Sequence, residues 1–220
     1  TCVELAQMVS ARGAALLDMP VSGSGHAALA RKLLVMTGGD AGAIARTMPV
    51  LESYAGTIIR MGDVGAAMNA KLVNNLMAVV NIGQAFHALA LGRKVGVEPA
   101  ALRQALMVGT GRSFAVDLIA RLHVPKRAHH VRGVLVKDVD LAIEAMPADE
   151  RAYWRPLAQA GLDALEQLIS GGVTLLPDES HYAVTGFWEN LFVFERGTHR
   201  LVRELCLYPL FFGHSHICAA

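Results

Sequence analysis

Cysteine is scarce in this chain of 220 residues. The three present, Cys2, Cys206 and Cys218, are far apart and odd in number, which excludes a disulfide framework and a paired-cysteine zinc motif and suits a reducing compartment, the cytoplasm. Net charge is nearly absent too. Twenty Lys and Arg against 19 Asp and Glu leave +1, so no chain-wide field exists to hold a nucleic acid, and none is expected as a partner. No uninterrupted apolar run reaches across about 30 Å of hydrocarbon. Leu76 to Leu91 is broken by Asn81, Gln84 and His87, and Leu205 to Gly213 is too short, so no membrane span is expected. The start, Thr1-Cys2-Val3-Glu4, lacks Met, a basic flank and a signal-peptide core, and reads as a chain entered in the middle. A G-x-G-x-x-G phosphate-binding turn is missing as well; the nearest candidate is Gly23-Ser24-Gly25 with Ala28 three positions on.

What is present is apolar. Hydrophobic residues make up 53% and the mean hydropathy is +0.38, which rules out disorder and provides a sizeable core. Alanine divides the chain: 31 of the first 172 residues are Ala, against 3 of the last 48. Aromatics run the other way, with eight of the 13 in the last 48 residues, and the chain is read as three segments, 1–62, 63–172 and 173–220.

The first segment alternates helix and strand, an α/β layer pattern. Cys2 to Arg12 reads as a helix ended by Gly13. Ala14 to Val21, Leu33 to Thr37 and Thr57 to Met61 read as strands, and Asp40 as the N-cap of a helix from Ala41 to Tyr54. The second segment reads as helix: one long stretch from Ala66 to Val95 with Leu72, Leu76, Val79, Val80 and Gly83 on one face, another from Glu98-Pro99 to Met107, then Ser113–Leu122, Lys137–Met146 and Arg155–Ser170, with a polar loop from Lys126 to Arg132. In the last segment, His214-Ser215-His216 near Cys206 and Cys218 lacks a second spaced ligand pair, so no metal site is expected and the tail reads as an apolar, partly ordered extension. His129-His130 lies in the basic loop and reads as solvated surface.

Three places could carry chemistry. Lys71, Asn74 and Asn75 at i, i+3 and i+4 project from one side of the long helix, either as a general acid/base with two orienting amides or as a solvated polar stripe. Pro20-Val21-Ser22-Gly23-Ser24-Gly25 follows a strand, where its backbone N–H groups could turn toward an anion or simply make a turn. Lys137-Asp138 opens a helix in this reading, with Asp138 favoured by the helix dipole.

In this order the motifs resemble the β-hydroxyacid dehydrogenases, which include 3-hydroxyisobutyrate dehydrogenase, tartronate semialdehyde reductase and the 6-phosphogluconate dehydrogenases. The matching runs are Leu17 to Gly23, Met36-Thr37-Gly38-Gly39-Asp40, Gly62-Asp63-Val64-Gly65 through Lys71-Leu72-Val73-Asn74-Asn75, and Lys137-Asp138-Val139-Asp140-Leu141-Ala142. The resemblance implies a remnant of a Rossmann-type α/β cofactor domain over 1–62, an all-α helical domain with a long interdomain helix over 63–172, and an atypical tail over 173–220. It implies an oxidoreductase moving a hydride between NAD or NADP and a small 3-hydroxy acid or semialdehyde, paired as a homo-oligomer through its helices. By the same resemblance Lys71 is the catalytic acid/base, Asn75 orients the substrate, Ser22 and Gly23 hold its carboxylate, and Lys137 lies near the nicotinamide. The departures are the missing dinucleotide fingerprint, Ser24 and Ala30-Arg31 where the family has glycines or small residues, and His87 where it has an acid. The alternative reading is a catalytically inactive helical dimerisation module or a truncated gene product.

Overall fold

The structure is a computed structural model and describes residues 2–121, 125–169, 173–175, 181–185, 190–195, 198 and 200–206. The chain forms two compact units, Thr1–Met77 with Asp138–Met146, and Ala78–Lys137 with the remainder from Pro147.

The first unit holds α1 (Cys2–Ser10), β1 (Val21–Ser22), α2 (Gly25–Leu29), β2 (Leu33–Gly38), α3 (Ala41–Leu51), β3 (Ala55–Gly62) and the opening turns of α4 (Ala66–Lys94). Its sheet runs β1-β2-β3, with β2 antiparallel to β1 and parallel to β3. The central strand reads Leu-Leu-Val-Met-Thr-Gly without polar alternation because nearly all of it is buried, as a strand covered on both faces requires. Asp40 caps α3 as its position suggests, its carboxylate accepting from Ala43 N–H at 2.7 Å, and Ala43, Ile44 and Leu51 of that helix are buried. The run Ala14 to Val21 is less regular than expected: only Val21–Ser22 is strand, with one antiparallel bridge between Asp18 and Gly38 before it. The reason is local, since Pro20 has no N–H to give a ladder.

The second unit holds the rest of α4, α5 (Pro99–Val108), α6 (Phe114–Arg121), most of α7 (Pro125–Ala145), α8 (Ala148–Ile169) and four strands, β4 (Val173–Leu175), β5 (His181–Thr185), β6 (Asn190–Glu195) and β7 (Leu201–Cys206). Its helical core is Val79, Val80, Ile82, Phe86, Leu89, Val116, Ile119, Leu162 and Leu165. Helices α4 and α8 approach so closely that a Cβ on Gly83 would lie 2.9 Å from the Gly161 nitrogen, and one on Gly161 would strike the Val79 carbonyl. By length and composition α4 could cross a membrane, but more than half of its most apolar window is buried within the protein, the signature of a core helix.

Three expectations are corrected here. The polar loop from Lys126 to Arg132 is helix, because α7 begins at Pro125, a residue suited to the first helical position, and Lys, Arg and Ala propagate a helix well. Lys137-Asp138 therefore lies inside α7 and does not open a helix, and the dipole argument for Asp138 lapses. Beyond Gly172 the chain is not a mere extension: β4 to β7 form an antiparallel meander in sequence order. The motif His214 to Cys218 lies outside the described residues.

Candidate active site

Helix α4 carries Lys71, Asn74 and Asn75 within its first three turns, and a distant carboxylate holds its start. Asp18 Oδ1 accepts from Gly65 N–H at 2.9 Å and Oδ2 from Met68 N–H at 2.9 Å. These are N–H groups for which the helix has no internal partner, and a negative charge there is favoured by the dipole. Asp18 is 4% exposed, so both bonds are made in the interior.

The three polar side chains of α4 separate in environment. Asn75 is buried at 5% exposure, Lys71 is half-buried and Asn74 is exposed. Asn74 Nδ2 donates to Asn75 Oδ1 at 3.1 Å, and Asn75 Nδ2 donates to Asp138 Oδ2 at 2.6 Å. The second bond is short because its acceptor is a carboxylate. A uniformly solvated stripe is not what forms. Burial pushes the Lys71 ammonium below its ordinary value, and the Asp138 charge pulls it part of the way back. An amine desolvated in this way gives up its proton nearer neutrality, which is what a general acid/base needs.

Ser22 and Gly23 lie in the same unit, at the end of β1, where Ser22 pairs with Leu34. Gly23 has a φ of +134° and a Cβ there would press 2.7 Å from Leu33 Cδ2, so the backbone itself requires glycine. No hydrogen bond among the described residues joins this turn to Lys71. Lys137 is exposed on α7, one position before Asp138. Sequence reasoning missed the parts played by Asp18 and Asp138. The available signals were an acid inside the apolar run Leu16-Leu17-Asp18-Met19 and an acid beside an already selected lysine. Among the described residues no group of three or more His, Cys, Asp or Glu could hold a metal.

Comparison with known proteins identifies the family. Residues 65–175, half of the chain, match the family described as NAD-binding of NADP-dependent 3-hydroxyisobutyrate dehydrogenase, and residues 1–62 match the NAD binding domain of 6-phosphogluconate dehydrogenase. The chain belongs to the β-hydroxyacid dehydrogenase family. Among the relatives of this β-hydroxyacid dehydrogenase chain, 3-hydroxyisobutyrate dehydrogenase of Pseudomonas aeruginosa is 38% identical over 118 residues, 54% of this chain and 40% of that protein. The NAD-dependent L-serine dehydrogenase of the same organism is 33% identical over 73% of this chain and 56% of its own length. Among solved structures, Mycobacterium tuberculosis 3-hydroxyisobutyrate dehydrogenase with L-serine superposes with a TM-score of 0.58 at 27% identity, covering 75% of this chain and 59% of that one. The chain spans about half the length of the curated relatives it matches. Its fold, a small α/β sheet with helices followed by a helical region entered through the long α4, is that of these dehydrogenases.

Proposed function

We propose that this chain carries the substrate and proton-transfer side of an NAD(P)-dependent dehydrogenase acting on a small 3-hydroxy acid and its semialdehyde. The observation that carries the reading is the half-buried Lys71, its pKa lowered by burial, flanked by the buried Asn75 and the Asp138 carboxylate. In reduction, the Lys71 ammonium donates its proton to the carbonyl oxygen while the carbonyl carbon receives a hydride; in oxidation the neutral amine takes the alcohol proton. Asn75 has two amide hydrogens and spends one on Asp138, so the second is left to orient the substrate oxygen. Ser22 and Gly23 hold the substrate carboxylate, and Lys137 lies by the nicotinamide; both assignments rest on family resemblance. Reduced NAD or NADP supplies the hydride when bound.

One candidate cradle for the dinucleotide phosphates among the described residues is already occupied. The strand-to-helix turn Gly38-Gly39-Asp40 has its helix N-terminus filled by the Asp40 carboxylate, which takes the position an anion would use. Residues 1–62 are the trailing part of a cofactor domain in this reading, 63–172 the helical domain and 173–220 an atypical tail, and the cytoplasm suits its sparse cysteines. Pairing with a second copy through the helices is supported by the exposed Val73 and Met77, one turn apart on the same side of α4.

The test is titration of the chain with NADH and NADPH, followed by semialdehyde reduction. Binding with turnover supports the reading. Neither binding nor turnover, together with concentration-dependent sedimentation, favours an inactive dimerisation module.

A further inference from the structure

We propose that Asp18 is a positioning residue that locks the acid/base helix to the segment leading into β1 and the Ser22-Gly23 turn. The inference rests on the reading of Lys71 as the acid/base. Asp18 makes two attachments with different atoms. Its backbone exchanges hydrogen bonds with Gly38, donating to Gly38 O at 3.1 Å and accepting from Gly38 N–H at 2.9 Å, which fixes it to the central strand β2. Its carboxylate takes both the Gly65 and Met68 N–H groups, 47 and 50 residues further along the chain. Two acceptor atoms on two N–H groups of one helix start fix both the axial position and the rotation of α4, and Lys71 follows Met68 by less than one turn.

The surroundings are built for this contact. A Cβ on Gly38 would collide with the Asp18 carboxylate, so the absence of a side chain at 38 is what lets the carboxylate reach the helix. Pro20, just ahead of β1, also accepts from Met36 N–H at 3.0 Å, which ties the same segment to β2 two residues before Ser22. The carboxylate is buried and both its oxygens are committed to backbone, so it holds the geometry without touching substrate.

Asp18→Asn is the test, because the amide keeps the shape but offers one acceptor oxygen and turns an N–H toward the other donor. Lys71 is one of five lysines, so its side-chain titration can be followed by NMR with labelled lysine. In the variant the first turns of α4 loosen, Lys71 regains water, and its pKa rises toward the ordinary 10.5. The backbone bridge to Gly38 survives, so KM for the carboxylate substrate stays close to wild type while kcat falls roughly 10- to 100-fold, the scale of a misplaced catalytic group. Gly38→Ala keeps the charge but displaces it, and the same Lys71 shift is expected. Lowered thermal stability with Lys71 titration unchanged in both variants overturns the proposal. Amide exchange at Gly65 and Met68 in the wild-type chain needs no variant: protection supports the clamp, and exchange at the free-chain rate overturns it. A wild-type chain without turnover whose Lys71 still titrates low defeats the dehydrogenase reading but not the clamp.

Discussion

Replacing Asp138 separates the two effects this carboxylate exerts, one on stability and one on the acidity of Lys71. In Asp138→Ala the 2.6 Å bond from Asn75 Nδ2 disappears and leaves a donor on a side chain only 5% exposed. A hydrogen bond to a charged group contributes about 1.5–3 kcal/mol, and a buried donor left unpaired costs a similar amount, so the two descriptions overlap and a loss of about 2–3 kcal/mol is expected. For a chain of this size that lowers Tm by roughly 5–10 °C. Asp138→Asn retains an acceptor oxygen for Asn75 and costs less. Both variants remove the charge that raises the Lys71 pKa, so both let burial dominate and lower it further. Reduction requires the ammonium form, and the high-pH limb of the rate of reduction therefore moves to lower pH in both. Unfolding curves and pH–rate profiles of the pair read the two effects independently. A limb that stays in place or moves upward in Asp138→Asn refutes the electrostatic assignment, and an unchanged Tm in Asp138→Ala refutes the structural one.

Other perturbations have equally definite outcomes. The Lys71 pKa is lowered in the folded chain, so the unfolded chain binds more protons between that lowered value and 10.5, and stability rises with pH across this window; below it the cost of a buried charge is fully present. Lys71→Met should flatten that part of a Tm-against-pH curve and leave Tm at neutral pH no lower than wild type, while removing turnover. Gly161→Ala places a methyl group against the Val79 carbonyl at the α4–α8 contact and should lose about 1–3 kcal/mol or more in chemical denaturation. Ser22→Ala should raise KM for a carboxylate substrate and leave a substrate without that group unaffected, as measured by steady-state kinetics.

The α/β pattern of the first unit was legible because its signals are local: a continuous apolar strand at Leu33–Gly38 and an Asp cap at Asp40, followed by the long stretch without proline that became α4. The start of α7 was not, because a run of Lys, Arg and His looks like loop by polarity while its residues are sound helix formers, and Pro125 is as good a helix opener as it is a breaker. The last strands were hidden by the change in composition, although Asn190–Glu195 is rich in aromatic and β-branched residues once read alone. At the site, Lys71 and Asn75 could be picked out because they sit one helical turn apart. Asp18 and Asp138 could not, because their partners lie 47 to 63 residues away, and pairing over such distances is set by folding and leaves no periodicity in the sequence.

The most direct test of the central claim is semialdehyde reduction by Lys71→Arg, which keeps the positive charge and much of the volume but, with a guanidinium that does not release its proton, cannot act as the acid. A loss in kcat of at least roughly 100-fold, the scale of general acid catalysis, with substrate KM little changed is the expected result. Turnover within about tenfold of wild type would show that Lys71 is not the proton donor.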